Sequence, residues 1–195
     1  MVIERFADAG QDGGHALAQV SGGISHSPTI NPPAAAGYGR LMGIAPHIAR
    51  LRASVGHDLL LLPSAAVLPV DDQGRVLLAR QRDSGLWGTV GGAVDVDESP
   101  ADAARREARE EIGVEVELTG LLGALGGPRF HLTYPNGDHA AYVSVVYQAR
   151  IASGVPTPDN DETTELRWFT RDELRTDPEL HPFATATFEG LGWIS

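Results

Sequence analysis

Apolar residues recur with two periods along this chain, and the change of period marks its elements. Ile48, Leu51 and Val55 fall at helical spacing and predict a short amphipathic helix over residues 46–55. Residues 65–71 then read as a strand, Asp71-Asp72-Gln73-Gly74 as a turn and residues 75–80 as a second strand, together a hairpin. Residues 86–94 are strand-like but crowded with glycine. Residues 99–113 have helical spacing, 114–122 predict a strand, and 140–151 a longer strand with apolar alternation. A short strand follows over 165–169, and further helical pieces start at residues 171 and 182. Strands flanking one central helix favour an α/β (α+β) architecture: a mixed β-sheet sandwiched between helices.

The first 45 residues break this rhythm. They are rich in Gly, Ala, Ser and Pro, are punctuated by Gly13-Gly14, Gly22-Gly23 and Pro32-Pro33, and hold too little apolar material to fold alone. The expected organisation is a flexible Gly/Ala/Pro-rich extension over 1–45 and a folded domain over 46–195. Met42 stands just before the first organised segment, so translation is expected to start there in the native host; an intact mass of the full chain would refute this.

Composition narrows the function classes. The formal net charge is −11, which argues against attraction to nucleic acid or anionic membranes and leaves two uses for the acids, solubility or holding divalent cations. The absence of cysteine excludes disulfides, thiolate metal sites and cysteine nucleophiles. No apolar run approaches the roughly 18 residues of a membrane span and no secretory signal is visible, so a cytoplasmic protein is expected.

The informative segment starts at Gly91-Gly92 and ends at Val114. Its helix is well delimited: Ser99 as N-cap, Pro100 at the first position, Asp102 completing a Ser-x-x-Asp capping box, and Gly113 as the stop. Ala101, Ala104, Ala108 and Ile112 form a narrow apolar stripe that suits close packing on a sheet. At about 100° per residue, Glu107, Glu110 and Glu111 share one sector of roughly 100°. Glu107 and Glu111 repel each other at four-residue spacing, and all three acids oppose the dipole at the helix C-terminus. A solvated acidic face partly neutralised by Arg105, Arg106 and Arg109 is one reading. A set of hard oxygen ligands for Mg²⁺ or Mn²⁺ is the other.

Spacing adds a family resemblance. Gly92, five residues, Glu98, seven residues, then Arg106-Glu107-Ala108-Arg109-Glu110-Glu111-Ile112-Gly113-Val114 fills every fixed position of the Nudix box. The wider chain from about Ile48 to Leu191 resembles the ADP-ribose-pyrophosphatase-like bacterial branch of the Nudix hydrolases. Leu51-Arg52, Gly56-His57, Gly85-Leu86-Trp87-Gly88, Tyr134-Pro135-Asn136-Gly137-Asp138 and Glu165-Leu166-Arg167-Trp168-Phe169 support this. Val90, Asp95 and Asp97 depart from the usual wording, where Pro, Glu and Gly are common. They bear on loop shape, and Asp tolerates a left-handed backbone.

The resemblance implies a Mg²⁺-dependent hydrolase (Mn²⁺ as a substitute) that cleaves the diphosphate bond of a nucleoside diphosphate derivative. ADP-ribose-like substrates come first, then dinucleoside polyphosphates or oxidised nucleoside triphosphates. It implies metal ligation by Glu107, Glu110, Glu111 and the Gly92 carbonyl, with Glu98 and Arg106 bracing loop and helix. Glu107 or Glu110 would be the general base, and Asp138, Asp161, Glu162 and Glu165 are distal candidates. Arg80, Arg82 and Arg129 are candidate phosphate contacts; Trp87, Phe130, His131, Tyr134 and Tyr142 are candidate stacking residues, and Asp138 a further substrate contact. A homodimer is expected by the same analogy. The rival from another class is a non-catalytic Nudix-like nucleotide or ADP-ribose sensor, against which the complete set of box carboxylates argues.

Overall fold

The computed structural model describes residues 46–195; the predicted extension over 1–45 and the Met42 start lie outside the described residues. Helix α1 (Pro46–Val55) leads into β1 (Leu60–Pro69), β2 (Val76–Gln81), β3 (Trp87–Gly88) and β4 (Val90–Ala93). After them come α2 (Pro100–Ile112), β5 (Glu115–Leu125), a 3₁₀ turn at Pro128–Phe130, β6 (His131–Thr133), β7 (His139–Ser153), β8 (Thr163–Phe169), α3 (Arg171–Thr176) and α4 (Pro182–Gly190).

The strands divide into two sheets rather than one. The larger runs β4-β1-β7-β5 with β6 on the start of β7; the smaller runs β3-β2-β8. Within the larger sheet β1 and β7 are parallel and the other pairs antiparallel, so the predicted mixed character holds there. The expected hairpin is corrected: β1 and β2 are joined by the Asp71–Gly74 turn but belong to different sheets, meeting at the Val70–Val76 bridge. The reason is burial. Leu77, Leu78, Ala79, Val67 and Leu68 are all essentially inaccessible, so each strand needs cover on both faces and a solvated two-strand ribbon would leave it bare. The glycine-crowded stretch splits at Thr89 for the same reason, its first half pairing with β2 and its second with β1.

Helix α2 packs on one face of the larger sheet. Ala103, Ala104, Ala108 and Ile112 meet Ala65, Val67, Val90, Val114 and Val116, with Leu77 and Ala79 of the smaller sheet in the same cluster. Ala101 of the predicted stripe is only half-buried and Ala103 takes its place. The small side chains let the helix axis approach the sheet closely, which carries its acidic residues to the edge strand β4. On the opposite side a second cluster gathers Ala66, Leu68 and Val146 with Trp87, Phe169, Leu174, Ala184 and Phe188, bringing α3 and α4 onto the core. No helix among the described residues is long and apolar enough to cross a membrane.

Candidate functional site

A cleft of about 1070 Å³ opens between the larger sheet, the C-terminal half of α2, the loops after β2 and β7, and the start of α4. One end is lined by Glu107, Glu110, Glu111, Asp159, Asp161 and Glu162, the other by Ile48, Leu62, Tyr134, Tyr142 and Phe183.

The acidic end is built from the backbone outward. Ser99 caps α2, its hydroxyl accepting from the Asp102 N–H at 3.2 Å, and Gly113 closes the helix in the left-handed conformation. Asp97 adopts φ 68° in the preceding loop, so this aspartate takes the backbone role for which glycine is the usual residue. Arg106 ties loop to helix. Its Nε and Nη2 donate to the two oxygens of Glu98 at 2.9 and 3.0 Å, Nη2 also reaches the Ala93 carbonyl at 3.0 Å, and Nη1 donates to Glu107 at 2.7 Å and Glu110 at 2.9 Å. The bidentate bond from Arg106 holds the Glu98 carboxyl below its ordinary pKa, and Glu98 in turn raises that of Arg106. Through these bonds one guanidinium joins the loop to the helix.

Glu107 and Glu111 are buried, at 8% and 5% exposure, whereas Glu110 is exposed; the acids are therefore not a uniformly solvated face. Burial pushes the carboxyl of Glu107 above its ordinary pKa against the pull of Arg106. Burial, and then the neighbouring charge of Glu107, pushes Glu111 well above. One Glu111 oxygen accepts from the Gly91 N–H at 3.1 Å; the other, Oε2, is buried with no hydrogen-bond partner.

Glycine makes this convergence possible at two adjacent positions. A Cβ on Gly92 would stand 2.5 Å from Oε1 of Glu107, and one on Gly91 would stand 2.2 Å from the Ala65 carbonyl oxygen. The carboxylate of Glu107 thus occupies the space that any other side chain at 92 would take.

The loop after β7 closes this end. The Asp159 N–H and the Thr163 hydroxyl both donate to the Glu111 carbonyl, at 3.1 and 3.0 Å, docking the loop on the last turn of α2. Burial opposes ionisation of Asp159, but N–H donors from Thr163, Asp161 and Glu162 hold its pKa down. Glu162, nearby, has its pKa raised by partial desolvation of its carboxyl and then by Asp159, Asp161 and Glu110.

Among the described residues no three His, Asp or Glu side chains converge, as they stand, closely enough to form a ready cation site. Glu107 and Glu110 are turned onto Arg106. The residues nonetheless fit a divalent cation. A buried carboxylate oxygen without a partner, beside a second buried carboxylate and a glycine lacking Cβ, is a hard-oxygen donor set short of one positive charge.

At the other end Tyr134 and Tyr142 share a hydroxyl–hydroxyl bond of 2.7 Å, and Tyr142 and Phe130 meet the Phe183 ring edge-on. Burial pushes both tyrosine pKa values up, so both phenols stay neutral. His181 caps α4, its Nδ1 accepting from the Phe183 N–H at 3.1 Å, which places the proton of the neutral ring on Nε2.

Of the predicted substrate contacts, Arg82 and Tyr134 line the cleft, with Arg82 tied to the Asp161 and Asn160 carbonyls at 2.8 and 2.7 Å. Three others are corrected. Trp87 is 4% exposed and packs edge-on against Phe169 in the core, because it belongs to β3 and its strand face points inward. Arg80 lies over the Trp87 ring and faces Glu165 and Glu179, outside the cleft. Asp138 is held by His57 at 2.8 Å, Asn136 at 2.9 Å and Arg52 at 3.5 Å, fixing the β6–β7 turn instead of reaching substrate. Asp138 and Glu165 are likewise displaced as distal bases, while Asp161 and Glu162 line the cleft. Tyr142 lines it too, whereas Phe130 is buried behind Phe183, Arg129 pairs with Glu189, and His131 is exposed. Sequence reasoning missed Ser64, Ser144, Asp159, His181 and Phe183; the His181-Pro182 dipeptide at a helix start was a readable signal for one of them.

The profile described as the NUDIX domain matches residues 60–189. A MutT-like protein of Streptomyces ambofaciens is 32% identical over 111 residues, 57% of this chain and 65% of that protein. An NAD-capped RNA hydrolase of Pseudomonas aeruginosa is 37% identical over 126 residues, 64% of this chain and 41% of that protein. The chain thus spans between about two fifths and two thirds of the length of these curated relatives. The crystal structure of a MutT NUDIX hydrolase from Burkholderia pseudomallei superimposes with a TM-score of 0.55 at 31% identity, covering 67% of this chain and 97% of that one.

Proposed function

The chain belongs to the Nudix family of hydrolases, and on that premise we propose that it uses water to split the diphosphate bridge of a nucleoside diphosphate derivative. The observation that carries this reading is the pair of buried glutamates, Glu107 and Glu111, one with an orphaned oxygen, at the acidic end of a cleft whose other end is aromatic. ADP-ribose-like molecules stand first among substrates. The sequence resembles that branch, and NAD, part of the substrate named for the Pseudomonas relative, shares with ADP-ribose an adenosine diphosphate joined to ribose. Dinucleoside polyphosphates and oxidised nucleoside triphosphates come next.

Glu107, Glu110, Glu111 and the Gly92 carbonyl would hold Mg²⁺, or Mn²⁺ in its place. The cation's chemistry is to neutralise phosphate oxygens and make a water molecule more acidic. The chain's own groups supply the rest. Arg106 braces loop 94–99 against α2 and so fixes where the carboxylates stand. Glu162 faces the acidic end from the opposite loop and accepts the proton lost by the attacking water, partial desolvation of its carboxyl and the neighbouring acids Asp159, Asp161 and Glu110 keeping its basicity above that of a free glutamate. Arg82, at the mouth, supplies donors to phosphate oxygens. The aromatic end receives the organic group.

The test is product release from a panel of linked nucleoside diphosphates with Mg²⁺ or Mn²⁺, with Glu111→Gln as control. Metal-dependent release of phosphate monoesters that the substitution abolishes supports the reading. Folded wild-type protein that binds nucleotides and hydrolyses none of them would replace it with the sensor reading.

A further inference from the structure

The floor of the cleft carries a polar feature that the acidic machinery does not use. On β1 the side chains of Leu62, Ser64 and Ala66 share one face, by strand alternation. Leu62 joins the cluster that includes Tyr134 and Tyr142; Ala66 joins the second core cluster, on the side of the sheet opposite α2. Ser64, between them, is 6% exposed, lines the cleft, and its hydroxyl has no hydrogen-bond partner. Its neighbour on the parallel strand β7 is Ser144, 1% exposed and also lining the cleft. Two hydroxyl-bearing side chains therefore stand side by side where the sheet otherwise presents apolar residues.

Stability alone does not select this arrangement. Alanine at 64 would fit the same strand and leave no buried hydroxyl unpaired, and an unpaired buried hydroxyl costs stability. A group that enters the cleft would complete it. The position along the sheet identifies that group. Ser64 pairs with Ala93 on the β4 side, one residue from Gly92, and with Ser144 on the β7 side, two residues from Tyr142. It thus lies beside the aromatic wall formed by Tyr134, Tyr142 and Phe183, while Gly92, on the opposite face by strand alternation, meets Glu107. A hydroxyl both donates and accepts, which suits the mixed polar edge of a flat heteroaromatic ring lying on that wall.

We propose that Ser64 is a specificity-determining residue whose hydroxyl, beside that of Ser144, hydrogen-bonds the polar edge of the substrate's nucleobase. This deepens the hydrolase reading and rests on it for the assignment of the cleft to a nucleotide.

Calorimetric binding of AMP, GMP, CMP and UMP, without divalent cation, tests it on wild type, Ser64→Ala and Ser64→Cys. Wild type is expected to prefer one base at least about fivefold, the value of one neutral hydrogen bond. Ser64→Ala is expected to reduce that preference below about twofold with no fall in Tm, and Ser64→Cys to lie between the two. Retained preference in Ser64→Ala overturns the proposal, as does a lowered Tm with preference intact or a wild type that binds no mononucleotide. The two readings separate cleanly. Turnover of a linked diphosphate with preference unchanged in Ser64→Ala removes this inference alone. Ser64-dependent preference without turnover of any linked diphosphate removes the hydrolase reading alone.

Discussion

The two ends of the cleft are assembled in different ways. The acidic end comes largely from one stretch, Gly91 to Glu111, and is cross-tied by a single guanidinium that reaches Glu98, Ala93, Glu107 and Glu110. The organic end is drawn from α1, β1, β6–β7 and α4, and is held by packing, a few neutral hydrogen bonds and the tie of Arg52 to Asp138 and the His139 carbonyl. Carboxylate charge is concentrated and costly at one end, whereas at the other the buried charge is that of Arg52, paired with Asp138. Chemistry that must place carboxylates within a fraction of an ångström is carried by a short, over-determined segment, while recognition of the organic group is left to elements that can vary independently.

The largest expected effect falls on the acidic end. Glu111→Gln should lower turnover about 10²–10⁴-fold, the range for removing a metal-linked or acid–base group. The metal-free Tm should hold or rise, because the amide carries no charge to bury. A lowered Tm with turnover intact would make Glu111 a structural residue and erase the contrast.

The adjacent glycines sharpen it next. Gly91→Ala places a methyl against backbone at a φ of 148° and should cost about 2–3 kcal/mol, seen as a fall in Tm. Gly92→Ala meets only the movable head of Glu107, so it should cost less than about 1 kcal/mol yet lower turnover at least tenfold by displacing that carboxylate. Equal effects on stability and turnover from both substitutions would contradict the cradle.

At the organic end, Tyr142→Phe removes the partner of the Tyr134 hydroxyl. It should cost about 1 kcal/mol and raise KM with kcat nearly unchanged. A fall in kcat alone would place Tyr142 with the acidic machinery.

The smallest effect concerns pH. Burial lowers the pKa of His181 in the folded protein, so below its ordinary value of about 6.5 the unfolded chain binds the proton more readily. Its contribution is fully present above that pH and is lost as pH falls toward the folded pKa. His181→Asn keeps a capping side chain and should lose less Tm than wild type between pH 7.5 and about 5.5, by under about 1 kcal/mol. Parallel curves would show that His181 stays solvated.

These differences explain what the sequence made legible. Glu107, Glu110 and Glu111 could be grouped because helical spacing converts sequence distance directly into direction, whereas Glu98, in the loop before the helix, and Arg106 were reached through the family resemblance. Trp87, Arg80 and Asp138 were chosen by residue type, but type does not say which face of a strand or which side of a turn a residue takes. Trp87 went into the core, Arg80 onto its ring, and Asp138 under the turn that Arg52 and His57 tie down. Ser64 was invisible for a related reason. Its strand begins at Leu60, earlier than the predicted residue 65, and only the parallel register with β7 brings it beside Ser144 and Tyr142. The division of β1 and β2 between sheets was also hidden, since a tight turn between two apolar strands has the same local signature whether or not they pair.

The most direct measurement of the central claim is a ³¹P NMR time course on ADP-ribose and related linked diphosphates, run with Mg²⁺, with excess chelator, and with the Glu111→Gln protein. The account predicts that diphosphate resonances give way to two phosphate monoester signals in the first sample only. Equal conversion in all three samples, or cleavage that leaves the diphosphate resonances intact, would contradict it.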